Sequence, residues 1–295
     1  MIFQCAIIGP TACGKSALAV RIAQRIGGVI LSVDSLSVYR LIDIASAKPT
    51  IQERGGIVHF GIDVLDVTEQ FRVTTFLDLY KEVYAYALQH KTPLIIVGGT
   101  GFYLSILRKG LDPQPLADLE LRQKIDRLTS DLDQAYALLR QHAPQIASTI
   151  QSTDRYRITK ALERLFATPQ EGVSHPPLAP GLKLYEIDIQ RETLRQRIAL
   201  RTESMLQQGL VDECAHLEHR YGRKPHPLHA IGIAEVFDYF DGQLSYKDLA
   251  DTISLHTGQL AKRQQTYNKT QFPDRISAQT DELYRCIIND FHSSL

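Results

Sequence analysis

The residues Gly9-Pro10-Thr11-Ala12-Cys13-Gly14-Lys15-Ser16 match the pattern G-x-x-x-x-G-K-[ST] in full. When such a loop opens a helix, its backbone N–H groups and the positive end of the helix dipole converge on one point, which then binds a di- or triphosphate. Lys15 adds a mobile cation for the phosphate oxygens, and the Ser16 hydroxyl can hold a Mg²⁺. All eight residues are therefore candidate diphosphate ligands, and Ser16 is the candidate metal ligand. The loop alone leaves open which phosphate compound binds and whether a phosphoryl group is what moves. Cys13, at the helix N-terminus, is in addition a candidate reactive thiol that a bound diphosphate would shield.

Three more residues bring chemistry to the same region. Asp34 and Ser35 follow the apolar run from Gly28 to Val33, and the acid is either a catalytic group or a cap for the turn that follows. Gly98-Gly99-Thr100-Gly101 follows the run from Pro93 to Val97. A phosphoryl-transferring enzyme with this loop usually carries a metal-binding acid there; glycines and a hydroxyl suit close backbone approach and the orienting of a base. The alternative is a Gly-rich turn with Thr100 as a helix cap. Arg201 falls on the stripe Leu194, Ile198, Met205. An arginine there is costly unless it meets an anion, which makes it a candidate second clamp on the phosphate, or else it snorkels outward.

The elements that must position these groups follow from the apolar pattern. Ile2 to Ile8, Gly28 to Val33, Pro93 to Val97 and Leu182 to Ile187 read as strands of a parallel sheet, with Val58 to Leu65 as a further candidate. Helices alternate with them, at Lys15 to Ile26, Thr75 to Leu88 and Arg191 to Gln207, and beyond these at Val211 to His219, Pro227 to Phe240, Ser245 to Tyr267 and Thr280 to Phe291. Ser37 to Pro49 reads as an ordered loop over the site. The fold class is thus α/β, a P-loop NTPase-like parallel sheet flanked by helices, with the carboxyl ends of the strands carrying the ligand. Residues 113 to 180 read as an all-helical insertion, with helices at Leu116 to Leu128, Leu132 to His142 and Asp154 to Phe166, splitting a core of residues 1–112 and 181–295. On the third of these helices Arg157, Lys160 and Arg164 share an outer face. With Arg155, Tyr156 and Arg122 that face either is solvated or tracks a phosphate backbone.

Composition narrows the partners. The 295 residues contain 33 Lys plus Arg and 33 Asp plus Glu, so no overall field draws the chain to a polyanion and any nucleic-acid surface is local. The four cysteines have no paired spacing, which fits a reducing compartment and neither a zinc site nor a disulfide framework. Neither a signal peptide nor a membrane span is expected.

Beyond the phosphate loop, Asp34-Ser35 with Val38-Tyr39-Arg40, Ala47-Lys48-Pro49, Gly98-Gly99-Thr100, Ala230-Ile231-Gly232 and Gln259-Leu260-Ala261-Lys262-Arg263-Gln264 together resemble the bacterial tRNA dimethylallyltransferases, from Ile7 to about Tyr267. The resemblance implies an allylic transfer. Dimethylallyl diphosphate and Mg²⁺ would occupy the phosphate loop, and N6 of adenosine 37, 3′ of the anticodon of tRNA, would attack the allylic carbon. Asp34, Thr100 and Arg201 become the catalytic candidates, and the core becomes the prenyl-diphosphate domain. Asp34, Ser35, Leu36, Ser37 and Thr100, with Arg122, Tyr156, Arg157, Ile158, Thr159 and Lys160 of the insertion, become the candidates for contact with the tRNA anticodon stem-loop. A cytoplasmic monomer is expected. Departures from the family pattern at Ser37, Leu41, Ala45, Gly258 and Tyr267-Asn268 bear on RNA contact rather than on the chemistry. Two other readings share the loop: prenylation of free AMP or ADP, and a small-molecule kinase.

Overall fold

The computed structural model describes residues 2–111, 118–167 and 174–294. The chain divides into two compact units, Met1–Arg108 with Ala179–Leu295, and Lys109–Leu178.

The first unit is built on one sheet. In chain order its elements are β1 (Gln4–Ile8), α1 (Lys15–Ile26), β2 (Val29–Ser32), β3 (His59–Phe60), α2 (Val73–His90), β4 (Leu94–Val97) and α3 (Gly101–Lys109), whose last residue opens the second unit. The second unit contributes α4 (Leu119–Leu128), α5 (Leu132–His142), α6 (Pro144–Ala147) and α7 (Arg155–Phe166). The first unit then resumes with β5 (Lys183–Ile187), α8 (Arg191–Gln207), α9 (Leu210–Tyr221), α10 (Ile233–Phe240), α11 (Tyr246–Gln271), β6 (Ile276–Ala278) and α12 (Thr280–His292).

The six strands are all parallel, in the order β3-β2-β4-β1-β5-β6. Cys5, Ala6, Ile7 and Ile8 of β1 and all of β4 are buried, as strands covered on both faces must be. The elements that follow β1 pair on its β4 side first and on its β5 side later, so the loop after β1 lies at a topological switch point, where open α/β sheets bind ligands. Leu18, Ala19, Ile22 and Ala23 of α1 pack with β1, β4 and the Leu283 and Ile287 face of α12 in one cluster. This is the P-loop NTPase-like α/β architecture.

Three features differ from the apolar pattern. The span from 58 to 65 is a strand only at His59–Phe60, after which Leu65 makes a single parallel bridge to Tyr39. The span from 227 to 240 is a short 3-10 turn, His226–His229, followed by α10, because Ala230 between them is extended (φ −73°, ψ 155°). β6 was not legible at all: three residues, two of them exposed, carry no alternation to read.

In the second unit Ile125, Ala135, Leu139, Ala147, Ile158, Ala161 and Leu162 make a separate apolar cluster. Asp118, Asp131 and Asp154 cap α4, α5 and α7 by accepting from Leu121, Gln134 and Arg157 N–H groups. The unit runs from 109 to 178 rather than from 113 to 180. At its base Leu111 and His175 exchange two backbone hydrogen bonds, 2.8 and 3.0 Å, which ties both ends into the helical unit. On the core side of that base, Ala179 N–H donates to the Leu107 carbonyl at 2.9 Å. The prolines at 113 and 115 lie outside the described residues.

Candidate active site

The phosphate loop is held from three directions. From below, Cys13 packs under the loop: it is 1% exposed and joins the cluster of β1 and α1. This burial overturns the expectation of an accessible reactive thiol; the position needs a small apolar atom group beneath the loop. From one side α8 and α11 pack against Ala12 through Leu194, Ile198 and Ala261. From above, polar side chains of the same two helices grip the loop backbone. Gln264 Oε1 accepts from Thr11 N–H at 2.8 Å, and Arg197 Nη1 donates to the Cys13 carbonyl at 3.0 Å. Lys15 Nζ donates to the Pro10 carbonyl at 2.6 Å, and Ser16 stands exposed on the first turn of α1.

Arg201 reaches the loop one helical turn beyond Arg197. The core positions of α8 are Leu194, Ile198, Thr202 and Met205, so Thr202, not Arg201, continues the apolar stripe. Arg201 lies half-buried beside it, donating to Thr11 Oγ1 at 3.3 Å and to the Ser46 carbonyl at 3.5 Å. Burial pushes its guanidinium below the ordinary arginine value, and the carboxylate of Asp34 acts in the opposite direction. The guanidinium therefore sits partly desolvated against the phosphate loop, where a further anion would be strongly attracted.

Asp34 caps the turn that follows β2. Its Oδ1 accepts from Leu36 N–H at 2.9 Å and Ser37 N–H at 3.0 Å, so the turn engages only one of its two oxygens. Ser35 is exposed and Leu36 half-buried beside it. Ser37 is 4% exposed with its hydroxyl 3.3 Å from that of Ser32, so its side chain faces the core end of β2. Thr100, half-buried, follows Gly98 and Gly99 at the end of β4. Gly98 is needed for close approach: a Cβ there would lie 2.0 Å from the Val33 carbonyl oxygen, next to Asp34. The Asp34 and Thr100 turns are thereby pressed together, further tied by Val33 N–H donating to the Val97 carbonyl at 2.7 Å.

The loop after Asp34 is ordered by charges that sequence reasoning did not single out. Glu213 of α9 accepts the N–H groups of Asp43, Ile44 and Ala45 at 3.0, 2.7 and 2.9 Å, immediately before the Ser46 carbonyl that Arg201 holds. Lys48, with 5% of its side chain exposed, is held by Asp43 at 2.5 Å, Asp63 at 2.6 Å and the Tyr39 carbonyl at 2.9 Å. Leu41, where the family pattern has glycine, is held in the left-handed region (φ 65°), a conformation that costs an L residue about 1–2 kcal/mol. Arg197 and Glu213 escaped the sequence reading, and Gln264 entered it only as the last residue of the motif Gln259–Gln264, with no role assigned. For Arg197 the available signal was its spacing of four from Arg201, which puts both on one face of a helix.

In the helical unit, Tyr156 is 72% exposed, and Arg122, Arg157 and Arg164 are exposed, while Thr159 is half-buried. Ile158 is fully buried in the unit's apolar cluster, where its side chain serves as a core residue. Lys160 pairs with Glu163 at 2.6 Å and Arg157 approaches Asp154 at 3.4 Å, so part of the basic face is already neutralised.

A family model described as IPP transferase matches residues 37–271. The chain is 45% identical over 292 residues to the tRNA dimethylallyltransferase of Sulfurimonas denitrificans, covering 97% of this chain and 98% of the relative. It is 44% identical over 294 residues to that of Aliarcobacter butzleri, covering 98% and 99%. The solved full-length tRNA isopentenylpyrophosphate transferase of Bacillus halodurans superposes with a TM-score of 0.74 at 28% identity, covering 99% of this chain and 98% of that one. With a family model spanning most of its length and full-length relatives above 40% identity, the chain belongs to the IPP transferase family.

Proposed function

We propose that the chain transfers the dimethylallyl group of dimethylallyl diphosphate to N6 of adenosine 37 in tRNA, giving N6-(dimethylallyl)adenosine and diphosphate. The observation that carries this reading is that Arg201 docks on a phosphate loop whose neighbouring strand ends in Gly-Gly-Thr and not in an acid, with Asp34 at the end of the next strand. A phosphoryl transferase with this loop usually carries a metal-binding acid there. A prenyl transferase instead needs a base for the incoming amine and cations for the departing diphosphate.

The steps follow from those residues. The adenosine is turned out of its loop into the pocket, as bases are when chemistry is done on them, and the half-buried Thr100 hydroxyl orients it. As N6 bonds to the allylic carbon, the carbon–oxygen bond breaks and its electron pair leaves with the diphosphate. Asp34 accepts the N6 proton through the carboxylate oxygen that the turn does not engage. Arg201, Lys15 and the loop N–H groups hold the growing negative charge, most strongly in the transition state.

A divalent metal fits the donor set. Mg²⁺ takes most of its ligands from phosphate oxygens and water, so it asks little of the protein, and the exposed Ser16 hydroxyl meets that demand. Among the described residues no group of three His, Cys, Asp or Glu gathers that could form an all-protein cage. Bound beside Ser16, Mg²⁺ supplies further positive charge to the diphosphate.

The helical unit supplies the RNA contact in this reading, through Arg122, Tyr156, Arg157, Thr159, Lys160 and Arg164. In this reading the chain acts as a monomer in the cytoplasm, where tRNA is found. No helix among the described residues is long and apolar enough to cross a membrane.

The test is incubation of the protein with dimethylallyl diphosphate, Mg²⁺ and unmodified tRNA, followed by nucleoside mass analysis. Product at adenosine 37 is expected. Prenylation of AMP with no product on tRNA, or turnover of ATP in its place, would overturn the reading.

A further inference from the structure

Gln264 touches both halves of the site at once. Its Oε1 accepts from Thr11 N–H of the phosphate loop at 2.8 Å, and its Nε2 donates to the Gly99 carbonyl at 3.2 Å, next to Thr100. The two contacts use opposite ends of the amide, an acceptor for the N–H and a donor for the carbonyl, and a primary amide offers both from one planar group. Asparagine is one methylene shorter. Gly99 is shaped to the same contact: a Cβ there would lie 2.4 Å from Nε2. Gln264 stands on α11, which packs on α8 through Ala261, so the side chain is mounted on the element that also braces Ala12 and the arginine helix.

We infer that Gln264 is a positioning residue that fixes the distance between the diphosphate loop and the Thr100 turn, and so aligns the donor carbon with the acceptor amine. The inference rests on the transfer reading above and adds to it a residue that touches neither reacting atom. Alignment of two reactants is where a small displacement matters most, since a shift of about 1 Å can cost on the order of a hundredfold in rate. The diphosphate itself is held by the loop, Lys15 and Arg201, all of which remain when Gln264 is changed. Loss of the bridge therefore acts on turnover and not on donor binding.

The experiment is steady-state prenylation of tRNA by Gln264→Met, which keeps the volume of the side chain and removes both hydrogen bonds. The expected result is a fall in kcat of roughly tenfold to a hundredfold. The KM for dimethylallyl diphosphate should stay within about threefold, as for an interaction that matters mainly in the transition state. Thr100→Ala combined with Gln264→Met should be no slower than Thr100→Ala alone by the full factor, because residues acting through one another do not add. Gly99→Ala, which pushes the amide aside and leaves residue 264 intact, should reproduce the kcat loss and guards against a folding defect peculiar to Gln264→Met. Wild-type kcat in both Gln264→Met and Gly99→Ala, or strict multiplication of the Thr100 and Gln264 effects, would overturn the inference. A wild-type protein that makes no prenylated tRNA would instead overturn the transfer reading itself.

Discussion

Arg201 Nη1 lies 3.3 Å from the Thr11 hydroxyl, so an arginine 190 residues along the chain is already docked on the phosphate loop and held half-buried there. Because the guanidinium is already docked and partly desolvated before any ligand arrives, little reorganisation is needed when a diphosphate joins it.

Arg201→Ala is accordingly expected to raise the KM for dimethylallyl diphosphate and lower kcat by roughly 10²–10³, the range for losing one preorganised donor at a developing charge. Arg201→Lys should recover only part of this, since the fork that spans Thr11 and Ser46 is lost. Steady-state kinetics with unaltered thermal unfolding would establish the role; normal kinetics in a less stable protein would make Arg201 a structural tie.

Asp34→Asn separates the two duties of that residue. Asparagine keeps an oxygen for the N–H groups of Leu36 and Ser37, so the turn after β2 should persist, but it cannot take the N6 proton. The transfer rate should fall by about 10²–10⁴, the span usual for a positioned general base, while dimethylallyl diphosphate binds as before. A single-turnover rate equal to wild type would leave Asp34 as a cap alone.

Replacing Arg157, Lys160 and Arg164 together by alanine should weaken tRNA binding and flatten its salt dependence, leaving dimethylallyl diphosphate binding unchanged. Each phosphate contact contributes about 0.7–0.9 to the slope of log affinity against log salt. Lys160 and Arg157 already sit near Glu163 and Asp154, so the largest single change is expected from Arg164. Titrations of tRNA at several salt concentrations test this, and an unchanged slope would remove the face from the RNA contact.

His59, half-buried on β3 with Nδ1 2.9 Å from the Ile57 carbonyl, is held below the ordinary histidine value, chiefly by burial. Since the folded state resists protonation more than the unfolded chain, stability present above about pH 6.5 should be lost as pH falls through the folded value. The thermal midpoint of the wild type should therefore drop more steeply below pH 6.5 than that of His59→Gln. Parallel curves would show that His59 does not contribute.

Much of this arrangement could be read from residue patterns, and the failures share a physical cause. The strand, loop and helix from Gln4 to Ile26 announce themselves because a doubly buried strand, a glycine loop and an amphipathic helix each have a local signature. Gln264 and Arg197 have none: their contacts to Thr11 and Cys13 span 253 and 184 residues, and a long-range hydrogen bond leaves no periodicity. Ser37 and Ile158 are buried although exposed residues precede each of them, Ser35 in the one case and Tyr156 and Arg157 in the other, and a motif does not say which of its members face inward. β6 escaped because an exposed edge strand of three residues buries too little to impose a pattern.

The paired base of the helical unit, with Leu111 bonded to His175 and Ala179 to Leu107, bears on how the protein unfolds. A chain segment whose two ends are already fastened together can open and close without pulling on the sheet. For the core it is a closed loop whose length costs little, about 0.6 kcal/mol for each doubling. With its own apolar cluster and its own helix caps, the segment meets the requirements of a separate cooperative unit. Amide hydrogens of α4, α5 and α7 should exchange together through a partial opening, while those of β1 and β4 wait for the whole molecule to come apart.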